Sequence, residues 1–407
     1  MDKEETDGLP FLLAMGISAK LLIDTNIQIF NPFLTVIAAG VGTGAVVMGR
    51  LVALRNLTGL AAPLLGSLAD RVGHKTIMRM SLFVTGAGMV IAALSGTVWI
   101  FALALLLTGI GHAGYTPNLH AYLSSKLPYE KRARGLGMVE YSWALAGIVG
   151  LFVSGYLIEA WSWKMPFFLI GGGLILMSLL YGFLPAEDGT SADKAAEEGT
   201  ISQTGGITGF FSLGEHAASA WGCILVSGFN MFAMMHIMII HGGWLQAEYG
   251  LSPSRLGSVA LLLGVFDLAA SIAVSVAVDR IGKRRSVLIG VAGMTAGFAL
   301  FPFLNRGLAA ALVALAVPRC CFEFAVVSNF PLLSEQAPRH RGKVLSLSMT
   351  AGLIGTTLAS LTGPAAYLKY GVWGLGPVSL ASSAVSLLLI LFAVKERPYS
   401  SQRQELQ

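Results

Sequence analysis

Four polar side chains interrupt the first apolar run of the chain. Lys20, Asp24, Gln28 and Asn31 recur at steps of 4, 4 and 3, so on a helix they form one stripe. Thr108, His112, Thr116 and His120 repeat the pattern at steps of 4 in a later run. Ser227, Asn230 and His241 fall near one face of a third run, with Met234 between them, and Arg319 and Glu323 stand at i, i+4 in a fourth. Arg55, Glu140 and Asp267 are further ionisable residues inside apolar segments, and Asp267 shares a face with Ser271 and Ser275. Ionisable groups in apolar surroundings are costly, so they face a partner or an aqueous path. Two chemistries fit. A polar stripe can line a path for a solute, and a carboxyl without a partner can take up and release a proton. Lys20, Arg55 and Arg319 supply three cations against four acids, Asp24, Glu140, Asp267 and Glu323. One acid is left over, and Asp24, Asp267 and Glu323 are the candidates for a proton-exchanging group. Asp24 leads, because its whole stripe is polar. The alternative for each of these groups is a staple between helices.

The elements that must position these residues are transmembrane helices. Only 12% of the residues are charged and 55% are apolar, with a mean hydropathy of +0.70, whereas a soluble domain carries about 25% charged residues. A span needs about 20 mostly apolar residues. Twelve candidates fall near 10–38, 45–69, 75–95, 98–123, 135–159, 165–185, 216–240, 255–278, 285–304, 308–333, 343–368 and 373–394. A stretch rich in Gly, Ser, Thr and acids, 186–213, divides them six and six and is expected to be a linker. This gives an N-terminal six-helix bundle over 1–185 and a C-terminal one over 214–407. The acidic opening MDKEETDGLP lacks the basic region of a signal peptide, so the first run is expected to stay as a span. With both termini in the cytoplasm, 19 Lys and Arg lie on the inner side, 5 on the outer side and 3 within spans, the bias that sets topology. At 1.5 Å per residue, Arg55 lies about 22 Å along its helix from Asp70, Asp267 about 18 Å from Asp279, and Glu140 about 9 Å past the Arg134–Gly135 turn.

Other patterns carry no chemistry. The net charge of +5 is dispersed in short clusters between apolar runs, which does not suggest nucleic acid as a partner. Cys223, Cys320 and Cys321 sit in apolar stretches without metal or redox spacing and are expected to pack. Gly109-Ile110-Gly111-His112-Ala113-Gly114 fits a dinucleotide fingerprint, but it lacks a preceding strand and reads as helix packing. The sequon Asn56-Leu57-Thr58 lies inside a span. With no nucleophile–base pair, metal-ligand spacing or phosphate loop in view, the chain is not expected to be an enzyme or to hold a cofactor or metal.

A repeat organises the whole. Asp70-Arg71-Val72-Gly73 and Asp279-Arg280-Ile281-Gly282 lie 209 residues apart, each after the second span of its half. LPYEKRARG (127–135) and APRHRGK (337–343) each join a fourth span to a fifth. In the first copy Gly66, Leu68, Asp70, Arg71, Gly73 and Lys75 match G-x-L-x-D-R-x-G-x-[K/R]; in the second, Ser275 replaces the first Gly. On these residues the chain resembles the major facilitator superfamily over essentially its whole length. The resemblance implies an all-α membrane fold of twelve helices in two six-helix bundles, with 3+3 inverted repeats in each, working by alternating access. It implies that spans one, four, seven and ten line the central cavity, the same spans in which helical spacing finds the polar stripes. It also implies that the DRxG loop latches the two halves together on the cytoplasmic side when the transporter is open outward. In physical terms Gly66 would let two helices approach closely, Gly73 would permit a tight turn, Asp70 would cap a neighbouring helix, and Arg71 and Lys75 would hold acids or helix C-terminal carbonyls.

The chain departs from the family at two places. Many proton-coupled members carry an Arg four residues before a Gly in the fourth helix, where this chain has Leu105 before Gly109. In the fifth helix the antiporter motif G-x-x-x-G-P-x-x-G-G is reduced to Ala146, Gly150, Leu151 and Ser154-Gly155. The expected function is a secondary active transporter of the inner or plasma membrane, monomeric in the bilayer, exporting an amphipathic or lipophilic small molecule with protons. Trp143, Phe229, Phe266 and the Met residues 231, 234, 235 and 238 suit an adaptable apolar wall. The alternatives are a solute:proton uptake symporter, a flippase for lipids or lipid-linked sugars, and a non-transporting scaffold.

Overall fold

The computed structural model describes residues 3–185, 213, 217–337 and 341–395, with side chains for all of these except 3–10, 129, 130, 133, 275 and 279. Of the expected linker, 186–213, all but Leu213 lies outside the described residues. Every regular element among the described residues is helical. Among the described residues eleven helices are long and apolar enough to cross a membrane, or twelve if a bent pair is one span.

That pair is the first departure from a simple reading of the sequence. The run expected as one straight span is two helices, α1 (Lys3–Gln28) and α2 (Phe30–Val41), bent by 61°. Pro32 explains the break. It has no N–H to give the Gln28 carbonyl, and its ring crowds that oxygen. The ladder resumes with Phe33 N–H to Ile29 O at 3.3 Å. The second span is α3 (Ala45–Leu57), a 3₁₀ turn at Thr58–Ala61 and α4 (Ala62–Val72). Then come α5 (His74–Leu94), α6 (Val98–Lys126), α7 (Tyr129–Leu145) and α8 (Leu151–Ala160), the last two joined through a π-turn at Ala146–Gly150. The sixth span is α9 (Lys164–Leu180). The seventh is also broken, into α10 (Ala217–Met238) and α11 (His241–Tyr249). The remaining spans are α12 (Pro253–Ile281), α13 (Lys283–Leu300), α14 (Leu308–Gln336), α15 (Arg341–Tyr370) and α16 (Val372–Phe392).

The DRxG repeat becomes a matched pair of turns. Gly73 has φ 90° between α4 and α5, and Gly282 has φ 95° between α12 and α13. A side chain would strain both, so one residue reverses the chain only because it is glycine. The residue two positions on then fastens the new helix. The Lys75 ammonium donates to the carbonyls of Gly182, at 3.0 Å, and Leu184, just past α9. Arg284, 209 residues later, donates to the carbonyls of Ile390 and Val394, each at 2.8 Å, and Leu391 at 3.0 Å, at the end of α16. Cations on C-terminal carbonyls also sit favourably in the helix dipole. The His74 ring pairs with Asn118 of α6 at 2.7 Å, and Lys283 pairs with Glu335 of α14.

Two positions of the loop neither closely cross nor cap a neighbouring helix in this structure. No atom lies within 4 Å of where a Gly66 Cβ would stand, so Gly66 does not mark a close helix crossing here. The Asp70 side chain is 71% exposed and reaches His74 of the next turn at 4.0 Å rather than capping a neighbouring helix. Arg71 and Arg280 are exposed, and the Asp279 side chain lies outside the described residues.

Contacts divide the chain into two compact units, Met1–Gln203 with Ser252–Gly264, and Thr204–Leu251 with Val265–Gln407. The first half of α12 belongs to unit 1 because it packs on α8 through glycines. A Cβ on Gly155 would fall 2.5 Å from the Pro253 carbonyl and 3.0 Å from Gly257 Cα. Glu159 completes the contact by accepting the Ser254 N–H at 2.8 Å. Glycines of the 109–114 run pack likewise: a Cβ on Gly111 would lie 2.6 Å from the Ser81 carbonyl.

Close helix approach sets the tolerance of α5 and α9. A Cβ on Gly86 would lie 2.7 Å from the Gly171 carbonyl, and one on Gly171 would lie 2.9 Å from the Gly86 carbonyl. Overpacking costs about 1–3 kcal/mol. Gly86→Val is therefore expected to lower the unfolding temperature in detergent, whereas Gly96→Ala, whose Cβ would meet nothing within 4 Å, leaves it unchanged. An unaltered Gly86→Val would show that the contact does not hold the unit together.

Candidate functional site

In unit 1 the first three residues of the α1 stripe stay together and the fourth leaves. Lys20, Asp24 and Gln28 are buried on α1, while Asn31 falls beyond the bend, on α2. The Lys20 ammonium donates to Asp24 at 2.9 Å and to Glu140 of α7 at 3.4 Å. Ser142 donates to Asp24 at 2.6 Å. His120 of α6 meets the other oxygen of Glu140 at 2.8 Å. One lysine thus serves two carboxylates, with a hydroxyl and an imidazole taking up the remaining acceptor positions. Glu140 is half exposed, at 53% of its side chain. Gln28 donates to the Trp143 carbonyl at 2.9 Å, tying α1 to α7.

Arg55 has a different environment. It is 6% exposed, and its guanidinium donates to the carbonyls of Asn26 at 3.3 Å and Ile27 at 3.4 Å, and to the Asn56 side chain at 3.4 Å. It lies 5.0 Å from the centre of the Phe30 ring. Among the described residues no carboxylate pairs with it. The break at Ile29 supplies its acceptors: it ends α1 there, so the last carbonyls point into the bundle with the negative end of the helix dipole. His112 of α6 lies within Coulombic range of both Arg55 and Lys20. Its Nδ1 is buried with no hydrogen-bond partner, as are Asn26 Oδ1 and Thr116 Oγ1. Thr108, at the top of the same stripe, is satisfied by the Leu105 carbonyl at 2.8 Å.

Unit 2 holds the second charge cluster. Arg319 of α14 forks onto Asp267 of α12, with Nε to Oδ1 at 2.7 Å and Nη2 to Oδ2 at 2.6 Å. This corrects the expected Arg319–Glu323 pair: the bidentate geometry goes to Asp267 across the helices rather than along α14. Glu323 lies in the field of both partners and is held by the Ser271 hydroxyl. Arg319 Nη1 also reaches Met238 Sδ at 3.0 Å, so this methionine serves the charge cluster at the end of α10. The second break is closed by His241, whose Nδ1–H donates to the Met238 carbonyl at 2.7 Å. A carbonyl only accepts, so Nε2 is an acceptor, and it has no partner. Asn230 is buried with Oδ1 unpartnered. Ser227 is a staple: Asn329 and Ser348 donate to its hydroxyl at 2.9 and 2.7 Å, joining α10, α14 and α15. All three cysteines are free.

Ser142 is the residue that helical spacing could not reveal. Positions 140 and 142 do not share a helix face, yet Lys20 reaches both. Ser271 was legible from its shared face with Asp267, four residues earlier.

The charge count that the sequence left open is now apportioned. Within the spans of unit 1 two cations, Lys20 and Arg55, stand against two acids, Asp24 and Glu140, both of which pair with Lys20, whereas in unit 2 Arg319 faces both Asp267 and Glu323. The surplus acid is on the unit 2 side.

Comparison with known proteins places this geometry. The chain matches the family described as Major Facilitator Superfamily over residues 17–240 and 220–407. It is 25% identical over 390 residues to an uncharacterized MFS-type transporter, YwfA, of Bacillus subtilis, covering 95% of this chain and 93% of that protein. It is 28% identical over 167 residues to the multi-drug resistance efflux pump PmrA of Streptococcus pneumoniae, covering 39% of this chain and 41% of the pump. A crystal structure of a D-xylose-proton symporter superposes with a TM-score of 0.75 at 17% identity, covering 94% of this chain and 97% of that one.

Removing one partner of a buried ion pair strands the other and costs about 3–5 kcal/mol, whereas removing both is often nearly neutral. Asp267→Ala is expected to lower the unfolding temperature sharply, and Asp267→Asn combined with Arg319→Gln to restore most of it. Equal losses in the single and double variants would mean that the pair does not act as a unit.

Proposed function

The chain belongs to the Major Facilitator Superfamily and is a multi-pass membrane transporter of small molecules, and from that premise we propose proton-coupled export of an amphipathic solute with Glu323 as the coupling group. One observation carries the proposal: a single guanidinium serves Asp267 bidentately and leaves Glu323 with a hydroxyl as its partner. A net negative charge inside a span is expensive. A proton on Glu323 removes it, and its release restores it, so occupancy by a proton changes the relative cost of the conformations in which the group faces either side. Arg319 stands in for the arginine that many proton-coupled relatives carry where this chain has Leu105. The frame proposed is two six-span bundles, 1–185 and 214–407, joined by 186–213, with both termini and both DRxG turns in the cytoplasm. The protein acts as a monomer in the inner or plasma membrane and needs no cofactor.

Export is the direction favoured by the efflux-pump relative and by the methionine-rich seventh span. The second reading, uptake with a proton, is favoured by the fold shared with a D-xylose-proton symporter.

The test is transport in proteoliposomes holding a pH-sensitive dye, with an imposed proton gradient and a panel of lipophilic cations, carboxylates and sugars. Wild-type protein is expected to give a substrate-dependent proton flux. Glu323→Gln should lose that flux yet keep substrate counterflow at equal pH, and Asp24→Asn should keep coupled flux. A Glu323→Gln protein that still moves protons with substrate would sink the assignment, and net flux from sugars alone would favour uptake.

A further inference from the structure

Arg55 is the cation that this mechanism does not use. Five N–H donors are available on a guanidinium; three hydrogen bonds are made, all at 3.3–3.4 Å and none to a charged group. Charge-assisted bonds are shorter, about 2.7–2.9 Å. The group is therefore held in place without being neutralised.

The neighbouring carboxylates are already engaged. Asp24 is held by Lys20 and Ser142, and Glu140 by Lys20 and His120. The Arg55 stem packs directly on α6: a Cβ on Gly109 would lie 2.7 Å from the Arg55 carbonyl and 3.0 Å from its Cγ. A second observation comes from residues tied to Arg55. Asn26, 1% exposed, whose backbone carbonyl Arg55 holds, has its side-chain oxygen unpartnered, and His112, which feels the Arg55 charge, has Nδ1 unpartnered. Buried polar atoms are almost always satisfied, so both call for a partner.

We propose that Arg55 is an oxyanion subsite, at the break between α1 and α2, that takes a carboxylate or phosphate group of the transported molecule, with Asn26 and His112 offering hydrogen bonds to polar groups beside it. The proposal rests on the transporter reading and narrows its substrate to an amphipathic anion. The oxyanion supplies the charge partner that Arg55 lacks, and the guanidinium fork fits two of its oxygens. Tyr115, in Coulombic range of Asp24, and the Lys20 cluster are the other charged or titratable groups near this end of α1. Each of them has a partner of its own.

The test needs no knowledge of the natural substrate and no proton gradient. Purified full-length protein in neutral detergent at fixed pH would be titrated with benzoate, glycerol phosphate, benzamide and benzylamine, and with micelles doped with phosphatidylglycerol, following the unfolding temperature. Oxyanions are expected to raise it in the wild type, and the uncharged amide and the amine are not. Protection by the soluble anions places the group on a solute; protection by the phospholipid alone places it on a lipid headgroup. Arg55→Gln should weaken the protecting oxyanion about tenfold or more, the scale of one or two charge-assisted hydrogen bonds. Arg55→Lys should retain part of it. Ligand-free Arg55→Gln keeps an amide N–H for the α1 carbonyls that the guanidinium holds, so the readout is the loss of anion protection and not the unfolding temperature of the free protein. Glu323→Gln separates this inference from the previous one, since it loses proton coupling while keeping oxyanion protection. No anion-dependent protection, equal protection by benzamide, or unchanged protection in Arg55→Gln would overturn the assignment.

Discussion

In hydrocarbon a backbone carbonyl without a donor costs several kcal/mol, and no water is present to supply one. The architecture of this chain follows from where its helices must nevertheless stop. Pro32 ends α1 near Gln28, and the freed end is met by the Arg55 guanidinium on Asn26 and Ile27. The seventh span breaks about one repeat later, after Met238, and there the His241 side chain supplies the donor. At the other helix ends Lys75 and Arg284 do the same for α9 and α16. Each basic group is placed by a carbonyl that needs it. Two of the polar contacts, those of Arg55 and His241, lie where a helix is interrupted, because interruption makes acceptors.

The same economy explains the charge clusters. Lys20 and Arg319 each stand before two carboxylates, and in each cluster a hydroxyl takes up an acceptor position that no cation fills: Ser142 at Asp24, Ser271 at Glu323. The clusters differ in what completes them. In unit 1 an imidazole closes on Glu140 at a half-exposed edge. In unit 2 the arginine fork commits to Asp267 and leaves Glu323 to a neutral partner. A lysine can share a point charge among several acceptors, whereas a guanidinium fork commits two donors to one carboxylate. Which acid is left over is therefore decided by the choice of Arg over Lys at position 319.

Much of this was legible in the sequence. Twelve apolar runs, the 209-residue repeat and the glycine turns at 73 and 282 follow from hydropathy and from Gly and Asp-Arg spacing. The set of ionisable residues and its surplus of one acid were also countable. What periodicity could not carry was partner choice. Arg319 and Glu323 are i, i+4 neighbours, yet the fork turns to Asp267, 52 residues away. Asn31 continued a perfect stripe, yet Pro32 beside it bends the helix out of register. That signal was in the sequence, in a residue type rather than in a spacing.

The two halves keep the turn and the fastening of the third span to the sixth. They keep a broken first helix, but not the means of breaking it. They do not keep the charges. The second copy of the repeat has no counterpart of Arg55: 209 residues on is Gly264, and from Asp267 the same step back reaches Thr58. The conserved half of the design is backbone satisfaction, which both bundles need if they are to persist in a bilayer. The part that diverged is the placement of buried charge, which no bilayer demands and every bilayer penalises. Groups kept against that penalty, at positions the repeat did not supply, are where selection for a particular solute and a particular ion would act. On this argument Arg55 and Glu323 carry more information about what is moved than the DRxG turns do, although the turns are what make the family recognisable.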